Sequence, residues 1–255
     1  MKISIITAAY NSARTLPDTM ESVLRQSYAD FEHIIVDGVS KDNTLGIVRK
    51  YESRYEGRLR WVSEPDKGIY DAMNKGIALA TGDVIGILNS DDFYADDNVL
   101  ASIADGIRNV DVVYGYLEFV DENDTDKVVR IWKGSQYTNG AFLKGWHPAH
   151  PTFYARRKCF DELGGFDITF DVSADFELML RFLECAGLSS HYVNKTFVKM
   201  RMGGESTGSI SKIIKGNRNV LRAFRKNGFN VSHFYLIKRL APKAIEMIKH
   251  KLYIK

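Results

Sequence analysis

EPDKGIYDAMNKGIALATGDVIGILNSDDFY (Glu64–Tyr94) is the stretch whose reading decides the fold. Ile69, Met73, Ile77 and Ala80 recur at helical spacing, which predicts a helix over 69–80 with that face inward. Asp83–Leu88 (DVIGIL) is short and apolar on both faces, and Gly82 and Asn89 bound it. That predicts a buried strand rather than a second helix. The strand runs straight into Asn89, Ser90, Asp91 and Asp92. Adjacent carboxylates repel unless something positive lies between them. The residues alone leave two readings. One is a solvated turn whose aspartates cap the helix starting near Asp97. The other is an incomplete, magnesium-like site finished by water and phosphate.

Toward the N-terminus the same alternation repeats. Lys2–Thr7 reads as a strand, and Leu16–Gln26 as a helix with Leu16, Met20, Val23 and Leu24 on one face and Pro17 tolerated in its first turn. Phe31–Val36 is a second strand, Lys41–Tyr55 a helix, and Leu59–Val62 a third strand. The order β-α-β-α-β-α-β implies a mostly parallel, Rossmann-like sheet flanked by helices, an α/β fold. Open parallel sheets bind ligands at the carboxyl ends of their strands. Those ends are Thr7–Tyr10, Asp37-Gly38, Glu64–Lys67 and Asn89–Asp92, and the parallel arrangement sets them along one edge.

Past residue 105 the pattern changes. Val110–Phe119 suggests one or two strands, Asp121–Asp126 an acidic turn, and Val128–Trp132 a strand pairing back as a hairpin. Gly145–Arg157 (GWHPAHPTFYARR) reads as irregular. Ala174–Leu183 reads as a helix, with Ser173 as its N-cap and Phe176, Met179, Leu180 and Leu183 on its core face. Gly203, Gly204 and Gly208 suggest a flexible loop, and a basic helical tail follows from Ile210.

A chain of 255 residues, 45% hydrophobic, is long enough for a sizeable core. Its two cysteines, Cys159 and Cys185, argue against a disulfide framework and fit a reducing cytosol. No CxxC pair suggests structural zinc. The segment MKISIITAAY does not read as a signal peptide, and no apolar run approaches the ~20 residues of a membrane span. A cytoplasmic protein is expected, free or peripheral on the inner face of the cytoplasmic membrane. The net charge of +3 hides an asymmetry, since from Lys212 onward twelve Lys and Arg face one acid, Glu246. An acidic body therefore carries a basic tail. Phe234, Ile237, Ala241, Ala244, Ile245, Ile248 and Leu252 form an apolar stripe there, for packing on the body or for lying on an anionic leaflet. No nucleic-acid module accompanies it, and no nucleic-acid partner is expected.

The chain resembles the family 2 glycosyltransferases, which have the nucleotide-diphosphosugar transferase fold called GT-A. The matching pieces are SIITAAYN (Ser4–Asn11), IIVDGVSKDNT (Ile34–Thr44), the 64–94 block, GGFD (Gly164–Asp167) and SADFELMLR (Ser173–Arg181), in family order. The resemblance implies a GT-A domain over 1–208, with a nucleotide-binding half (1–105) and an acceptor-binding half (106–208), followed by a basic helical tail (209–255). Thr7, Ala9 and Tyr10 match the segment lining base and ribose, and Asp37 the aspartate that accepts from a uracil ring. Asn89-Ser90-Asp91 occupies the DxD position, where Asp91, with Asp92 beside it, would hold Mg2+ or Mn2+. Asp175 matches the general base. Asp66, Tyr70, Asp71 and Asn74 are candidate contacts with the diphosphosugar, against an ordinary capped helix, and Lys67 is another on charge and position. Trp146, His150 and Gly204 are candidates for acceptor or sugar contact, against rigid-loop and connector alternatives.

Three positions depart from the family pattern: Asn89 replaces the first DxD acid, Ala174 the acid before the base, and Met73 an arginine. The implied activity is inverting, metal-dependent transfer from a nucleotide sugar, a UDP-sugar, to a saccharide or polyprenyl-linked saccharide acceptor in polysaccharide biosynthesis. Two rivals stand beside it. A sugar-1-phosphate nucleotidyltransferase would want a glycine-rich, arginine-bearing loop after the first strand, which TAAYNSAR is not. The other is a non-catalytic nucleotide-sugar-binding protein.

Overall fold

The computed structural model describes residues 1–203, 210–232 and 234–236. Four parallel strands come first: β1 (Ile3–Ala9), β2 (Phe31–Asp37), β3 (Leu59–Ser63) and β4 (Val84–Ile87). They are joined by α1 (Leu16–Leu24), α2 (Thr44–Tyr51) and α3 (Ile69–Leu79). Every residue of β1, β2 and β4 is buried, polar Ser4, Thr7, Glu32, His33 and Asp37 included, as strands covered on both faces require. Their carboxyl ends share one edge, as expected.

After β4 come the two-residue β5 (Phe93–Tyr94), α4 (Val99–Gly106), and β6 (Val112–Val120), on which β7 (Val128–Trp132) folds back antiparallel. The rest of the body is β8 (Tyr154–Arg156), α5 (Arg157–Leu163), α6 (Ala174–Leu180) running on as a π turn over Arg181–Cys185, β9 (Ser190–Arg201) and α7 (Ile210–Lys226). All strands belong to one nine-stranded sheet in the order β3-β2-β1-β4-β8-β6-β9-β5, with β7 on β6. The short β8 lies antiparallel between β4 and β6, and joins the first four strands to the later ones. Gly86 makes this possible, because a Cβ there would meet the Tyr154 ring at 1.9 Å.

Two apolar layers sandwich the sheet. Leu16, Met20 and Val23 of α1 share one with Val99, Leu100 and Ile103 of α4. The other joins Ala72 and Met73 of α3 to Phe176, Met179 and Leu180 of α6 and to Val220, Leu221 and Phe224 of α7. Phe224 meets Phe176 at 5.5 Å, Asn227 donates to Glu177 at 3.1 Å, and Lys226 pairs with Asp167. The start of the basic tail thus packs on the body. Of the apolar stripe, Phe234 is 73% exposed, and residues 237–255 lie outside the described residues.

Several expectations need correction. Ile69, expected inward, is 48% exposed, because α3 begins there beyond the edge of the sheet. The helix expected from Lys41 starts at Thr44, since the Asp42 carboxylate takes the N–H groups of Ala13 and Thr44 and holds the preceding turn. Ser173 is not a side-chain cap. It sits at φ 67° with its hydroxyl toward the Gly216 carbonyl at 3.5 Å. The stretch read as irregular contains β8, and β9 was not foreseen.

Candidate active site

The turn after β4 is clamped from several directions. Thr19 donates to the Asp92 carbonyl at 2.7 Å, and Arg201, at the end of β9, donates to the Asp91 carbonyl at 2.6 Å. Arg201 also pairs with Asp18 and lies over the Phe93 ring at 4.9 Å. Ser90 bonds Ser12 at 2.8 Å, which ties this turn to the loop after β1.

The two adjacent aspartates have different surroundings. Asp91 remains partly open. Asp92, expected beside it as a metal ligand, is fully buried: Asn89 donates to its Oδ2 at 2.9 Å, and its Oδ1 has no hydrogen-bond partner. The clamped turn directs that carboxylate inward. Burial pushes the Asp91 carboxyl up, against the opposing pull of Arg201 and Arg14. Burial and then the Asp91 charge push Asp92 well above the ordinary range.

Glu32, near the opposite edge, provides a contrast. Burial raises it too, but donors from Ser4, Thr81 and Lys2 outweigh that and bring it to about 2. The carboxyl edge therefore holds uncompensated acid, the condition a divalent cation relieves. Among the described residues no three His, Cys, Asp or Glu form a metal-holding group. The residues fit an ion held by Asp91 and completed by water and phosphate, and do not form an all-protein cage.

The other candidates fall as follows. Tyr10 is 60% exposed at the end of β1, and Ala9 is buried behind it. Thr7 faces inward, donating to the Leu88 carbonyl at 2.7 Å and bonding His33 at 2.9 Å. Asp37 is fully buried and spends its carboxylate on the Ser40 N–H and hydroxyl and on Ser63. It braces the loop after β2. Asp66 closes over that loop, since a Cβ on Gly38 would come within 2.5 Å of its Oδ2. Lys67 is exposed, and among the described residues no ion pair engages its ammonium. Asp71 accepts from the Lys67 N–H at 3.0 Å. Asn74 turns away from the strand ends, exchanging hydrogen bonds with the Phe166 backbone, each at 2.8 Å.

Asp175 lies in the first turn of α6, part-buried, and accepts from Tyr70 at 3.1 Å. Because Tyr70 begins α3, just past the end of β3, this contact brings Asp175 to the carboxyl side of the sheet. His150 is close enough for the Asp175 charge to oppose the burial that lowers its pKa. Trp146 is half-buried against Tyr114, Tyr137 and Phe142. Gly204 lies outside the described residues. Sequence reasoning missed Arg201, whose one local sign is its place at a strand end before Gly203, and missed Phe166 as a platform for Tyr70.

The buried Thr7–His33 contact continues to Tyr55 at 2.8 Å, forming a polar spine beneath the site. Burial lowers His33 to about 3. The unfolded chain binds a proton near pH 6.5 and the folded one does not until about pH 3, so stability is lost as pH falls through that window. By pH 5 the loss is about 2 kcal/mol, measurable by urea unfolding at pH 7.5 and 5.0. His33→Gln should remove that part of the pH slope.

This sheet, flanked by helices, has the GT-A fold. The fold matches TarS 1–349 of S. aureus in complex with UDP-GlcNAc at TM-score 0.68 and 17% identity, covering 94% of this chain and 73% of that one. It matches the mannosyltransferase PcManGT of Pyrobaculum calidifontis, in complex with GDP-Man and Mn2+, at TM-score 0.65 and 18% identity, covering 92% and 67%. The family model Glycosyl transferase family 2 matches residues 4–164, and the chain belongs to that family. A PGL/p-HBAD biosynthesis glycosyltransferase of Mycobacterium bovis is 30% identical over 82% of this chain and 80% of its own length. An uncharacterized glycosyltransferase of Mycobacterium tuberculosis is 29% identical over 92% and 89%. No helix among the described residues is long and apolar enough to cross a membrane.

Proposed function

We propose that this glycosyltransferase moves a sugar from a UDP-sugar to a saccharide or lipid-linked saccharide acceptor, with inversion and with Mg2+ or Mn2+. The observation that carries this reading is the Asp175 carboxylate, part-open and held by Tyr70 on the same side of the sheet as Asp91. The nucleotide sugars in the TarS and PcManGT complexes, and the Mn2+ in the latter, support donor type and metal use.

In this reading Tyr10 covers the base and Asp37 holds the loop that shapes its slot. Lys67 meets the diphosphate. A divalent ion held by Asp91 would neutralise the charge that grows on the leaving nucleoside diphosphate. Asp175 takes the proton of the acceptor hydroxyl during attack, when that proton has become acidic, so its carboxylate needs no unusual basicity. A single base opposite the leaving group gives in-line displacement and inversion. The basic tail would bring this edge to an anionic surface through Lys238, Arg239, Lys243, Lys249 and Lys251, which lie outside the described residues.

Thermal-shift titration with UDP-, GDP- and dTDP-sugars, with and without Mn2+ or Mg2+, tests the donor. The largest stabilisation should come from a UDP-sugar with metal. A guanine preference would remove the uracil assignment, and metal-independent turnover would remove Asp91 from the scheme.

A further inference from the structure

We propose that Tyr70 is the positioning residue of the Asp175 carboxylate, fixing one oxygen so that the other faces the incoming acceptor hydroxyl. This rests on the reading of Asp175 as general base.

The two residues are 105 positions apart, and the Tyr70 hydroxyl donates to Asp175 Oδ1 at 3.1 Å. Among the described residues no hydrogen bond engages Oδ2. The tyrosine ring lies on Phe166 with centroids 5.5 Å apart and planes at 28°. Phe166 is itself held at both backbone groups by Asn74, one helical turn on from Tyr70. One helix thus supplies both the ring and the clamp on the surface beneath it. His150 meets the same Phe166 edge-on at 5.6 Å.

The hydroxyl is suited to donate. Burial and the Asp175 charge hold its proton on well above the ordinary range, while the N–H groups of Asp175 and Ala174 pull the other way. Those N–H groups begin α6, where Ser173 provides no side-chain cap. Tyr70 therefore meets both the start of the helix and the carboxylate it carries. A free carboxylate turns about its own bond and presents either oxygen in any direction, whereas a base must aim one lone pair at one proton. Among the described residues, Tyr70 from α3 and His150 from the 3-10 turn just before β8 are the titratable groups facing Asp175. Burial disfavours the charged form of His150, and among the described residues it is the Tyr70 hydroxyl that donates to Asp175.

Tyr70→Phe keeps the ring and its stack and removes only the donor. We expect kcat to fall about 5- to 20-fold with KM for the nucleotide sugar unchanged. The acid limb of the kcat–pH profile should move up by about one pH unit, because the charged form has lost its hydrogen bond. In an Asp175→Asn background the same change should add nothing to the residual defect. Phe166→Leu, which removes the stacking partner and leaves the hydroxyl, should move the acid limb the same way by less; it is the second reading if Tyr70→Phe folds poorly. An unmoved limb and unchanged kcat in these variants, with Asp175→Asn inactive, would overturn the positioning role and leave the base in place. Full turnover by Asp175→Asn would overturn both.

Discussion

Asp175→Asn should lower kcat by about a thousandfold and leave donor affinity unchanged. The amide matches the carboxylate in size, and its oxygen can still accept from Tyr70, so the start of α6 keeps its contacts. What it loses is the capacity to take a proton. General-base assistance typically contributes about 10²–10⁴-fold, and the proposed mechanism rests it on one group. A plainer role exists for an acid in the first turn of a helix, the favourable interaction with the helix dipole, worth about 0.3–1 kcal/mol of stability. The two roles separate cleanly. Loss of the dipole interaction alone lowers the melting temperature slightly and spares turnover; loss of the base does the reverse. Steady-state kinetics beside calorimetric titration of the donor would decide between them.

Asp91→Asn should reduce kcat/KM by about 10²–10³-fold and abolish the response to Mn2+ or Mg2+. The turn should survive, because Arg201 holds it through the Asp91 backbone carbonyl rather than through the side chain. A second signature comes with this loss. Burial makes Asp91 costly to ionise, and its charge adds to the burial that does the same to Asp92. Neutralising it relieves that strain, so the metal-free variant should melt at a higher temperature than the metal-free parent. Added Mn2+ should then stabilise the parent and not the variant. A variant that melts lower and still responds to metal would place the cation elsewhere.

The first four strands and their helices were legible because their signals are local. Runs such as IIV and VIGI and the spacing of Leu16, Met20 and Val23 carry their periods within a dozen residues, and parallel topology then gathers the strand ends. Strand β8 has three residues, too few to show a period. Strand β9 has twelve, but its burial pattern is broken where its pairing with β6 slips between Tyr114 and Leu117. The site divides in the same way. Asp91 and Asp175 were visible as acids at a strand end and a helix start. Their supports, Arg201 and Tyr70, lie 110 and 105 positions away; Tyr70 was legible only as a candidate donor contact, and Arg201 left no local trace. Asp92 differs from Asp91 only through the geometry of one clamped turn, which no composition rule resolves.

The wedge of β8 between β4 and β6, with β5 hooked onto β9, has a consequence for how such a chain can diversify. The parts of the chain before and after residue 105 are not cassettes joined by a hinge. A splice near residue 105 would strip β4 of its outer partner and leave a raw hydrogen-bonding flank open to any passing strand. Variation is therefore cheapest on the rim, in the segments between β7 and β8 and around α6, where the ladder beneath stays whole.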